Sequence, residues 1–283
     1  MLPEFKQPIS GYPTLMIIAS QPGVGKSSLF PSLNVNGYKC LHIDLQGGTA
    51  HVGGYIIDVN KYAHQENISI AQALFKYIKA IREEDAKNNK HTYDFVVIDP
   101  LSSLKSIIEI LGTKKFNESL VGKAQAKKIA EEMYGKNASI AQIDSCKSKN
   151  VISDIGQNGW NYMNTAWLEL FKDLRSLAGI CTFFIAHTKY NTLKKSSLQE
   201  FSVKEIDFWP SYLLHLIGEA SDSCIAYRKE NKVIANFKLE IDQEHFKSRN
   251  FDGEEIVLST KEGKEIKTYW ENIFPFISTK KID

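Results

Sequence analysis

Five apolar residues, Leu15-Met16-Ile17-Ile18-Ala19, run straight into Ser20-Gln21-Pro22-Gly23-Val24-Gly25-Lys26-Ser27-Ser28, and no other stretch constrains the fold as tightly. An apolar run of this length reads as a buried strand. A glycine-bearing turn that then opens a helix aims several backbone N–H groups at one point. The helix dipole and a lysine add positive charge there. Such a turn binds phosphate. It fits the pattern G-x-x-x-x-G-K-[ST] except at the first position, where Ser20 stands for glycine. In this pattern Gly23 and Gly25 permit close backbone approach, Lys26 reaches the β- and γ-phosphates, and Ser27 offers its hydroxyl to Mg²⁺. Residues Ser20, Gln21, Pro22, Gly23, Val24, Gly25, Lys26, Ser27 and Ser28 form the expected ATP-binding set.

Further apolar runs follow at intervals. Tyr38 to Asp44, Phe95 to Asp99 and Ile180 to Ala186 read as strands, and Ile70 to Glu84 and Trp160 to Leu177 read as amphipathic helices. The stripe of the second helix comprises Trp167, Leu168, Leu170, Phe171 and Leu174. Near-continuous apolar strands alternating with helices imply a mostly parallel sheet with helices on both faces. After about residue 220 shorter strands are expected at Ser223–Tyr227, Lys232–Leu239 and Glu255–Ser259, with turns at Asp252-Gly253 and Glu262-Gly263. The expected organisation is a core over 1–240 and a strand-rich extension over 241–283, completing the sheet or forming a small appendage. A polar stretch over 112–157, helix-like around Gln125 to Met133, reads as an insertion or mobile loop.

Three strand ends carry chemistry. Asp99 closes Phe95-Val96-Val97-Ile98, where a Mg²⁺ shell beside a phosphate loop needs a carboxylate. Asp44 ends the second strand before Leu45-Gln46-Gly47-Gly48, as either a site acid or a turn former. His187 ends the fourth strand, as either a phosphate sensor and water-orienting group or a packing residue.

This order of elements resembles the RecA-like ATPases encoded by tailed phages, over roughly residues 13 to 240. The quoted motifs carry the resemblance: the phosphate loop, strand-Asp-x-x-Gly-Gly, strand-Asp-Pro, a long helix, and strand-Ala-His-Thr. It implies a three-layer RecA-like fold, ATP with Mg²⁺, a homo-oligomer, and action on single-stranded DNA in recombination or replication, in the host cytoplasm. It also implies a catalytic set of Lys26, Gln46, Asp99 and His187. Relatives carry glutamate as the general base where this chain has Gln46, and an amide can orient water without taking its proton. Glu66, Asp58 and His187 are the alternative bases. Segments 188–197 and 112–157 occupy the places of DNA-contacting loops. Phe201, Phe208, Trp209 and Tyr212 read as core or oligomer packing, and Arg228, Lys229, Lys238 and Arg249 as candidates for a cation supplied to a neighbouring subunit.

Composition narrows little beyond this. The net charge of +2 demands neither nucleic acid nor membrane. Cys40, Cys146, Cys181 and Cys224 lack metal-ligand spacing and read as free thiols of a reducing compartment. No apolar run is long enough for a membrane helix, and Met1 to Lys6 lacks a signal peptide's order. A soluble intracellular protein is expected. Two other functions fit the loop: a nucleotide-gated binding protein with little turnover, and a phosphotransferase.

Overall fold

A computed structural model describes residues 12–49, 52–196, 199–238, 248–251, 253–263 and 265–277, with side chains over 190–204 left out. The first strand, β1 (Leu15–Ser20), is buried throughout and leads through the glycine turn into a short 3-10 segment, Ser27–Leu29. Pro31 then opens α1 (Pro31–Val35), where a missing N–H costs nothing at a helix start. Next come β2 (Cys40–Asp44), β3 (Tyr55–Asp58), α2 (Val59–Glu66), α3 (Ile70–Asn88) and β4 (Tyr93–Asp99). Asp58 caps α2, and Ser69 with Gln72 forms a capping box on α3.

The stretch read as an insertion or loop is helical. It contains the end of α4 (Leu104–Glu118), then α5 (Leu120–Tyr134), α6 (Ile140–Ser145) and α7 (Val151–Ile155). Ser119, Ser139 and Asn150 cap the last three through their side chains. The polar composition suggested a loop because these helices bury few residues, and α6 buries none. After α8 (Gly159–Arg175) come β5 (Ala178–Ser196), β6 (Gln199–Ile206), α9 (Pro210–Glu219), β7 (Asp222–Lys229), β8 (Lys232–Asn236), β9 (Glu255–Glu262) and β10 (Glu265–Thr268). Most of the stripe expected on α8 is buried, but Leu168 points outward and is 49% exposed.

Nine strands lie in the order β10-β9-β8-β7-β1-β5-β4-β2-β3. From β3 to β7 every neighbouring pair is parallel, whereas β7 to β10 pair antiparallel. This is an α/β fold of the P-loop type. The 19 residues of β5 exceed what the sheet uses. Beyond His187 it pairs antiparallel with β6, from Thr188↔Ile206 to Ser196↔Gln199. Segment 188–196 is therefore the first arm of a hairpin, while Ser197, Leu239 and Asp252 of the expected loop, strand and turn lie outside the described residues.

The two faces of the sheet are covered unequally. Leu41, Ile43, Val96 and Ile98 pack under α3, α4, α8 and α9. The opposite side chains, among them Met16, Phe95, Val97 and Phe183, meet Leu29, Phe30 and Leu33 near α1 and an aromatic C-terminal segment with Trp270 and Phe274. Trp270 is 2% exposed, and its indole N–H donates to the Leu29 carbonyl (3.1 Å) and Ser32 Oγ (3.0 Å). Trp209, Tyr212 and Phe208 pack with Trp160 and Trp167 into the first core, with Trp167 stacked on Tyr212 at 5.8 Å. Three cysteines are buried and all four are free; among the described residues no helix could cross a membrane.

Trp270→Ala removes this large side chain and strands the Leu29 carbonyl. Urea unfolding should show a loss of about 3–5 kcal/mol.

Candidate functional site

Parallel pairing brings the ends of β1, β2, β3 and β4 to one edge, together with the point where β5 leaves the sheet. Ser20 pairs with His187, and Asp44 pairs with Asp99 and Asp58. Ligands of open parallel sheets bind beyond this edge. A cleft of about 320 Å³ opens there, lined by Pro22, Gly23, Gly25, Lys26, Ser27, Ser28, Asp99 and His187. Six residues of the loop thus share one cavity with the strand-end Asp99 and with His187, where β5 leaves the sheet.

The loop's shape depends on its glycines. Gly23 and Gly25 have φ of +81° and +100°, a region that side-chain-bearing residues rarely adopt. A Cβ on Gly25 would also lie 3.2 Å from Arg228 Nη2. Ser20 needs no such freedom, because it is the last residue of β1 and extended. Its hydroxyl donates to the Gln21 carbonyl (2.7 Å) and accepts from Lys26 Nζ (2.6 Å). Lys26 also reaches the Gln21 carbonyl at 3.3 Å. Burial pushes the Lys26 ammonium below its usual range, against the pull of Asp99. Among the described residues no carboxylate forms an ion pair with Lys26, and a phosphate would supply a closer counter-charge than Asp99.

Ser27 Oγ donates to Asp99 Oδ2 at 2.6 Å. A hydroxyl and a carboxylate make an all-oxygen donor pair suited to a hard cation, so both fit Mg²⁺. His42, which had no assigned role, also reaches Asp99 Oδ2, at 3.1 Å through Nε2. The only sign of it in the sequence is one polar residue inside an apolar strand.

Asp44 is committed elsewhere. Its carboxylate accepts from the backbone N–H groups of Gln46, Gly47 and Thr49 and from the Thr49 hydroxyl, at 2.6–2.8 Å. Burial pushes its pKa up, but these hydrogen bonds outweigh burial and hold it below the usual carboxylate range. It is the turn former of its two readings. Gln46 follows as an exposed residue and is not among those lining the cleft. Nor are the alternative bases Asp58, which caps α2, and Glu66, which pairs with Lys76.

His187 is positioned through its neighbours. Its carbonyl accepts from Asp207 N–H at 2.8 Å, and the Asp207 carboxylate is held by Lys105 at 2.8 Å, which keeps that acid low. Burial and then Lys26 hold the imidazole below its usual range, opposed by Asp99 and Asp207. The cleft therefore favours the neutral ring over the imidazolium. Lys105 and Asp207 were missed because they are 102 residues apart in sequence.

Of the cations considered for a neighbouring subunit, Arg228 lies on the protein's own loop, donating to the Val24 carbonyl at 3.2 Å. Lys238 pairs with Glu255, and the Arg249 backbone N–H donates to Asp222. Lys229 is exposed at the end of β7.

Residues 13–118 match the family model described as an AAA domain, an interval that holds both the phosphate loop and Asp99. No curated protein matches the chain. Among solved structures, the crystal structure of the RadB recombinase aligns over 92% of each chain at 12% identity and a TM-score of 0.39, too distant to bear on function.

Asp44→Ala should leave three backbone donors unpaired and cost about 1–3 kcal/mol in urea unfolding. Proteolysis within 44–49 should rise with it. For His187 the folded pKa lies below the unfolded value of about 6.5. The unfolded chain therefore takes the proton first, and stability falls as pH drops from about 6.5 to the folded value. Urea midpoints followed over that window should fall more steeply for the wild type than for His187→Gln.

Proposed function

We propose that the chain is a Mg²⁺-dependent, RecA-like ATP-binding protein that hydrolyses ATP. The observation that carries this reading is the single cleft in which Lys26, Ser27, Asp99 and His187 face one another. The loop N–H groups and Lys26 would hold the phosphates. Ser27 and Asp99 would hold Mg²⁺, which neutralises phosphate charge when bound. His187, a neutral ring, would orient water or contact the terminal phosphate.

A finer reading follows from the resemblance to phage ATPases: an oligomer acting on single-stranded DNA. The β5–β6 hairpin supports it, since it begins directly after His187 and carries residues 188–196 of the segment expected to contact DNA. The lysines over 112–157 support it less. Lys114, Lys127 and Lys128 each pair with a glutamate one helical turn on, Lys147 meets Asp144, and Lys115 meets Glu169.

One observation favours a second reading, nucleotide-gated binding with little turnover. Asp99 is the only carboxylate among the residues lining the cleft, and it is the proposed Mg²⁺ acid.

ATP turnover measured with and without single-stranded DNA at two salt concentrations separates these readings. Stimulation by DNA that fades with salt is expected, because phosphate contacts release counterions. Lys26→Ala should weaken ATP binding roughly ten- to hundredfold, the value of a charge-assisted hydrogen bond. ATP binding without hydrolysis under any condition would select the second reading, and wild-type protein that binds no ATP would overturn both.

A further inference from the structure

His42 is an unusual occupant of the thinner core. Alternation along β2 puts Cys40, His42 and Asp44 on one face, opposite Phe95, Val97 and Asp99 on β4. His42 is 3% exposed, and its ring meets Phe30 edge-on at 6.0 Å. Phe30 in turn packs on Phe183 and Trp270. An apolar residue would fill this space without stranding a ring nitrogen, whereas His42 Nδ1 is buried with no hydrogen-bond partner. The other nitrogen is spent on one atom, Asp99 Oδ2, reached diagonally along the register.

Two groups therefore converge on Oδ2, the Ser27 hydroxyl as donor and His42 through Nε2. No described residue hydrogen-bonds Oδ1. A carboxylate gripped at one oxygen from two directions has a fixed plane, and its second oxygen keeps its lone pairs for another ligand. Losing a partner that orients a metal ligand typically costs about 10–100-fold in metal affinity.

We propose that His42 is a positioning residue for Asp99, presenting that carboxylate to the cation that accompanies the nucleotide. The proposal rests on reading the cleft as a Mg²⁺–nucleotide site. Nε2 carries the proton donated to Asp99, and Nδ1 is the lone-pair nitrogen facing the core. His42 does not touch nucleotide or metal; it acts through Asp99, while Phe30 ties the same ring to the segment that follows the phosphate loop.

The test measures binding of a fluorescent ATP analogue to wild type, His42→Phe and His42→Gln, in EDTA and across a Mg²⁺ series. In EDTA all three should bind equally. The Mg²⁺ concentration giving half-maximal enhancement should rise about tenfold in His42→Phe. His42→Gln, whose amide N–H can replace Nε2–H, should return most of that loss. An unchanged Mg²⁺ response in His42→Phe, or an equal loss in His42→Gln, overturns the proposal while leaving the functional reading standing. Wild-type protein that binds no nucleotide in either buffer overturns that reading, and the proposal falls with it. Should the variants not fold, imidazole ¹⁵N shifts of wild-type His42 decide. An Nε2–H tautomer whose signals move on adding Mg²⁺ with the analogue supports the proposal, and an Nδ1–H tautomer or signals indifferent to Mg²⁺ overturns it.

Discussion

Parallel pairing from β3 to β7 requires each strand to return to the same starting edge, so all their C-terminal ends gather at the other. That constraint creates the site. Ser20, His187, Asp99 and Asp44 are far apart in sequence, and the register alone makes them neighbours. Once gathered, they divide the work by what each can still bond. Asp44 spends its carboxylate on its own turn, whereas Asp99 is held at one oxygen and retains the other.

Much of this was legible in the residues. The phosphate loop was readable because φ above zero at two positions calls for glycine, and a helix start beside lysine has few other uses. The strand ending in Asp99 was readable because burial on both faces leaves an uninterrupted apolar run. Short or exposed elements were harder. β3 is only four residues long and half-exposed, and α5 and α6 bury too little to show a stripe. The β5–β6 hairpin was hidden because its polar residues resemble a loop until a partner strand is known.

The candidate site was legible in its types more than in its bonds. Lys26, Ser27 and Asp99 follow from spacing. His42, Lys105, Asp207 and the loop contact of Arg228 depend on packing between remote segments, which no local pattern encodes. Gln46 shows the reverse. The resemblance to ATPases with glutamate at this place gave it a catalytic role, whereas its backbone lies in the turn around Asp44 and it is not among the residues lining the cleft.

The indole of Trp270 gives the molecule an order of assembly in time. It grips the carbonyl of Leu29, 241 residues upstream, just past the phosphate loop. On a ribosome the loop would emerge well before the aromatic wedge beneath it, which follows 241 residues after Leu29. The β7 strand flanking β1 also arrives late. Until both are made, the loop has neither its neighbour nor its floor, and a nascent chain would hold the signature of a phosphate site long before it could use one.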